Sequence, residues 1–110
     1  MKAYSIDRKR WDSLSIFSQM GNIYSEVGRA LNAKSRHDLF GCEQAKKRAV
    51  ALFDATIDAL HKKQSPRSRE VLQAKKQFLE VIKENDLHKE NAAKLDQYFL
   101  AFAVAERLHR

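Results

Sequence analysis

A chain of 110 residues is long enough for one hydrophobic core and too short for two, and its 44% hydrophobic and 32% charged content is that of a globular chain, not a disordered one. Three glycines and one proline leave too few turn residues for an all-β fold, and the longest apolar run, YFLAFAVA at 98–105, is far shorter than the roughly 20 residues of a membrane span. The 21 Lys and Arg against 14 Asp and Glu give a formal charge of +7, which favours nucleic acid, acidic proteins or anionic surfaces without selecting among them.

The opening MKAYSIDRKRW is basic but lacks the apolar segment of a signal peptide. One cysteine, Cys42, excludes an internal disulfide and suits a reducing cytoplasm. Residues 1–12 read as a basic N-terminal arm, and 13–110 as an all-α domain, an up-down-up-down four-helix bundle.

The first predicted helix runs from about Leu14 to Ala33, with Ile16, Phe17, Met20, Ile23, Tyr24, Val27 and Leu31 at three-four spacing. At 100° per residue, Met20, Tyr24, Val27 and Leu31 form the centre of its buried face. Gly21, Ser25, Gly28 and Asn32 fall on a second stripe of small residues. A helix-interior glycine costs about 1 kcal/mol relative to alanine, so the stripe predicts a neighbouring helix packed backbone-close against it. Glu26 and Arg29 read as a surface pair, or as an exposed polar site together with Asn22.

Ser35 or Asp38 is suited to cap the second helix, about Asp38 to Lys62. Its stripe is Ala45, Ala49, Leu52, Thr56 and Leu60, widened by Phe53 and Ile57. Asp54 and Asp58 lie opposite that stripe, where Asp58 can pair with Lys62. Ser65 caps the third helix, with Pro66 in its first turn, and Val71, Leu72, the stem of Lys75, Phe78, Leu79 and Ile82 face inward to about Glu84.

The fourth helix, about Glu90 to Leu108, is apolar all the way round from Tyr98 to Ala105, where a bundle helix normally keeps a polar face. Either the N-terminal arm bearing Trp11 covers it or another subunit does. Tyr98, Phe99 and Phe102, with the small-residue stripe, are thus interface candidates, and a homo-oligomer or a protein partner is expected.

No phosphate loop, zinc spacing or nucleophile elbow occurs. A di-iron bundle requires two Glu-x-x-His motifs, and only Glu106 with His109 matches. Cys42 and His37 lie on poorly matched faces. No catalytic, metal or cofactor residue is therefore assigned, and the chain reads as non-enzymatic. Alternating helices collect Arg8, Lys9, Arg10, Lys62, Lys63, Arg67, Arg69 and Arg107 at one pole of the bundle, with Arg110. Helix C-termini welcome cations, but Arg67 and Arg69 stand in a first turn, where acids are preferred. With Ser65 they suggest an anion site, hence RNA or DNA as the alternative partner.

WDSLSIFSQMGNIYSEVGRAL, RAVALFDATIDAL and YFLAFAVAERL resemble segments of a group of short, uncharacterised prokaryotic helical proteins. These share a Trp-x-x-Leu opening, a Gly-Asn-Ile-x-Ser-Glu-Val segment and a terminal aromatic–alanine helix, over nearly the whole chain. More remotely, size and helix count are similar to HEPN-type bundles, the small partners of nucleotidyltransferases in toxin–antitoxin pairs. Catalytic members of that class carry an arginine a short distance before a histidine, for RNA cleavage. Here Arg36 is adjacent to His37 and Arg29 too far from it, His88 has Lys83 instead, and His61 and His109 have no such arginine. The resemblance therefore implies a binding member.

Overall fold

The computed structural model describes residues 5–83 and 89–108, with side chains for 5–83, 93–102 and 104. Every regular element among the described residues is helical: α1 (Arg8–Ser13), α2 (Ile16–Ser35), α3 (Leu39–Lys62), α4 (Arg67–Lys83) and α5 (Lys89–Leu108). Five helices thus replace the expected four. The difference lies in the supposed basic arm, which is helical from Arg8 because Asp7 caps it, accepting from the Arg10 N–H at 3.2 Å. Leu14 and Ser15 are extended and break α1 from α2. The Ser15 hydroxyl then caps α2, accepting from the Ser18 N–H at 3.0 Å.

Asp38, one of the two candidates, caps α3 by accepting from the Gly41 N–H at 2.9 Å. A Cβ at Gly41 would stand 2.3 Å from that carboxylate, so this glycine, which sequence patterning passes over, lets the cap close. α2 and α3 both end in the same way. His37 (φ 59°) and Gln64 (φ 55°) turn left-handed. The following N–H groups, of Asp38 and Ser65, return to the carbonyls of Ala33 and Leu60, each at 2.9 Å. These are Schellman closures built without glycine.

α2 packs chiefly on α3, α3 on α4, and α5 on both α2 and α4, while α1 packs on α3. The centre is aromatic, with Phe53 6.1 Å from Phe78 and 6.2 Å from Phe99, centroid to centroid. The α3 stripe is buried as expected, Ala45 to Leu60 with Phe53. On α4, Val71, Phe78 and Ile82 are buried, but Ala74 and Val81 take the places expected for Leu72 and Leu79.

α2 departs most from its wheel. Its buried residues are Gln19, Met20, Ile23, Glu26, Val27, Ala30 and Ala33, whereas Tyr24 is 44% exposed and Leu31 half-buried. At 100° per residue the buried face is rotated by about 80° from its expected centre. The apolar count alone missed this because two polar side chains, Gln19 and Glu26, are buried with partners. Gly21, Ser25, Gly28 and Asn32 consequently lie away from the core. A Cβ at Gly21 or Gly28 meets nothing within 4 Å among the described residues, so none of the described residues packs close against either glycine.

Candidate functional site

The side chain that anchors α1 is Trp11, which is buried against α3, not laid over α5. Its Nε1 donates to Thr56 Oγ1 at 3.0 Å, and that hydroxyl donates to Gln19 Oε1 at 2.9 Å. Gln19 Nε2 returns to the Trp11 carbonyl at 2.9 Å. A four-group polar joint thus ties α1, α2 and α3 inside the core, and among the described residues no buried side-chain polar atom lacks a partner. Outside it, Arg8 Nη2 reaches Asp58 at 2.9 Å while its Nε donates to Asp12 at 3.2 Å.

Held there, α1 walls a cavity of about 420 Å³ whose other side is the Asn22–Glu26–Arg29 face of α2. Asp7, Arg10 and Trp11 line the α1 side. Glu26 is not the surface residue expected. It is buried, and both carboxylate oxygens are engaged: Oε1 by Arg29, Oε2 by Arg48 Nε at 2.8 Å. Both oxygens of the Glu26 carboxylate thus serve ion pairs, one within α2 and one to α3. Asn22 and Ser25 turn back onto the Ser18 and Gly21 carbonyls. Asn22, Ser25 and Glu26 are therefore satisfied within this polar pocket, while Arg10 and Arg29 are exposed.

The basic pole is only partly available. Arg8 and Lys62 both serve Asp58, Lys62 at 3.2 Å, and these two cations hold the Asp58 carboxyl below its ordinary value. Arg67 is not splayed toward solvent. Its guanidinium lies over the Phe17 ring at 5.4 Å and the Phe102 ring at 5.9 Å, a double cation–π contact. Ser65 Oγ accepts from the Arg67 N–H at 3.3 Å, so the hydroxyl is used as a helix cap. Lys9, Arg10, Lys63 and Arg69 are exposed, and none is ion-paired among the described residues. The side chain of Arg107, and Arg110, lie outside the described residues. A shallow polar depression of about 570 Å³ at the α3–α4 turn joins His61, Gln64, Ser68 and Arg69.

On α5 the expected interface candidates separate. Phe99 and Phe102 are core residues, 4% and 6% exposed, with Leu95 fully buried beside them. Tyr98 is 37% exposed, and Leu100 and Val104, one turn apart, are 60% and 45% exposed. An apolar groove of about 310 Å³ runs between α2 and α5, bounded by Phe17, Tyr24, Phe99 and Phe102 and with Gly21 on its α2 wall. Tyr24 stacks on Phe99 at 4.9 Å and donates its hydroxyl to Asp96 at 3.1 Å. Burial and that carboxylate push the Tyr24 phenol upward from its usual value.

Several contacts had no sequence signal because their partners are far apart in the chain. Lys75 Nζ meets Asp54 at 2.6 Å between α4 and α3, and Lys34 Nζ meets the Ile82 carbonyl. Cys42 is buried, and burial first, then Glu43, raises its thiol above the usual value. Among the described residues no three His, Cys, Asp or Glu converge as metal ligands, and no helix is long and apolar enough to cross a membrane. Comparisons with family models, with curated proteins and with solved structures gave no match.

Proposed function

We propose that the protein is a non-enzymatic helical interaction protein, which self-assembles or binds a protein partner through the outward face of α5. We also read α2 to α5 as an up-down-up-down bundle braced by α1; the packing of each long helix on its successor, and of α5 back on α2, supports that reading. One observation carries the functional proposal: Leu100 and Val104 are exposed on one face of a helix whose opposite face, Leu95, Phe99 and Phe102, already fills the core. Trp11, one of the two covers expected for that face, is committed to Thr56. Apolar surface left on a rigid element favours burial against another molecule, at roughly 25 cal/mol per Å² covered.

Sedimentation velocity over a concentration series tests this. The wild type is expected to sediment as a species heavier than the 12.7 kDa chain, and Leu100→Glu with Val104→Glu to return it to a monomer of unchanged helicity. A wild type that stays monomeric at millimolar concentration, and shows no loss of partner capture in the double variant, overturns the proposal.

A second reading, a nucleic-acid-binding accessory protein, rests on Lys9, Arg10, Lys63 and Arg69, exposed cations not bound to a carboxylate among the described residues. Affinity for RNA or DNA should then fall steeply with salt, and Lys63→Ser with Arg69→Ser should flatten that slope by about two counterions. Salt-independent affinity, or none, removes this reading.

A further inference from the structure

Between α4 and α5 lies another open groove, of about 460 Å³, lined by Tyr98, Ala101 and Phe102 of α5 and by Gln77 of α4. Among the described residues, the only charges in that lining are Glu70 and Lys94. Both are exposed, and neither is ion-paired among the described residues. They stand at opposite ends. Glu70 lies one turn along α4 from Arg67, whose guanidinium is 5.9 Å from the Phe102 ring, so Glu70 marks the Phe102 end. Lys94 is eight residues back along α5 from Phe102, about 12 Å at 1.5 Å each.

The adjoining outward face of α5 has a period of its own. Ala93, Gln97, Leu100 and Val104 are all exposed, and their four-three-four spacing is that of a coiled-coil seam. Gln97 belongs to both this stripe and the groove lining, so the two surfaces are continuous. When two such seams pair antiparallel, the a positions of one stack on the d positions of the other. Gln97 then stacks on the partner's Leu100, and Ala93 on the partner's Val104, and both layers share one two-fold axis near Tyr98 and Phe99. In that arrangement the same flank of each helix meets its copy. The axis therefore brings Lys94 to the Phe102 end of the partner's groove, where the partner's Glu70 stands. The layering follows from the seam alone, yet it sets unlike charges together, and symmetry does so twice.

We propose that the molecule seated on α5 is a second copy of this chain, paired antiparallel about that axis, with Lys94 of each copy beside the partner's Glu70. This rests on the reading of the outward α5 face as an interaction surface and names its occupant. The chain carries a formal charge of +7, so two copies repel over much of their surface. The α4–α5 groove, with one base and one acid, is spared that repulsion. An acidic partner gains nothing from a groove whose charges cancel, whereas a second copy satisfies both. Gln97, the polar member of the seam, fixes the register at some cost in strength, as a polar residue at one a position does.

Charge reversal, followed by sedimentation velocity, tests the pairing. Glu70→Lys alone and Lys94→Glu alone should each weaken the dimer about tenfold, because each sets two like-charged contacts across the axis. Mixing these two variants one to one should restore the wild-type affinity, since their heterodimer has both contacts opposite in sign. The double variant, Glu70→Lys with Lys94→Glu, should recover it unmixed. All these differences should shrink in high salt, and helical circular dichroism should not change, both positions being exposed. A wild-type dimer indifferent to the single reversals, or single variants that mixing does not rescue, overturns this proposal and leaves the α5 reading standing. So does a chain that is monomeric at millimolar concentration but loses capture of a partner protein in Leu100→Glu with Val104→Glu. A monomer without that loss overturns both.

Discussion

Thr56 shows how much one side chain can decide. It is fully buried, receives the Trp11 indole N–H and gives its own proton to Gln19, so replacing it with valine leaves a buried donor and a buried acceptor without partners. Thr56→Val is expected to cost about 2–4 kcal/mol, measured by urea unfolding with an unchanged m-value; a loss below about 1 kcal/mol would show that the buried polar joint is not what holds α1. The glycines give the opposite sign. With open space around its Cβ position, Gly28→Ala gains helix propensity at no steric cost, so it should stabilise by up to about 1 kcal/mol. Thermal unfolding checks this as a rise of several degrees, and a fall instead would restore a close-approach role for Gly28.

At the scale of elements, α1 is the least self-sufficient helix, since its six residues are far below the length at which a helix is stable alone. It persists because Trp11 is anchored inside and Arg8 binds Asp58 outside. The Asp58 carboxyl titrates below its ordinary value of 3.8 because Arg8, then Lys62, favours its charged form. A depressed folded-state value means a contribution present above the unfolded-state value and lost as pH falls through the folded one. The melting-temperature gap between wild type and Asp58→Asn should therefore be constant from neutral pH to about 5 and close as pH falls below 3.8. Most of this exposed pair's energy is screened, so the gap is small and shrinks with salt. Helix existence was legible from periodicity and capping for α2 to α5. α1 was not, because a single buried tryptophan in a basic segment has no periodicity to read.

At the scale of the whole molecule, the interaction surfaces divide by chemistry. The outward α5 face is apolar, the α1–α2 pocket is polar, with Glu26 paired to Arg29 and with Arg10 exposed, and the pole near the α3–α4 turn keeps exposed cations that are not ion-paired among the described residues. If the proposed assembly through Leu100 and Val104 operates, the melting temperature should rise with protein concentration, and that dependence should vanish in the double glutamate variant. The candidate sites were partly legible beforehand. The apolar excess of α5 stands in its composition, yet which of its aromatics are core and which are surface does not. The basic pole was readable as a count of charges; that Arg8 and Lys62 serve Asp58, and that Arg67 lies on two rings, was not.

The sequence by itself determined the all-helical class, the α3 core stripe and the position of the α3–α4 turn, because propensity, periodicity and capping act between residues within about one helical turn of each other. Tertiary structure decided the roll of α2, the burial of Glu26 with Arg29 and Arg48, and the bond from Trp11 to Thr56. Each joins groups from different parts of the chain, and each turns on whether a polar side chain finds a partner in the core. That is what moved Gly21 and Gly28 from a packing seam to open space: Gln19 and Glu26, satisfied inside, rolled the helix and carried the glycines outward.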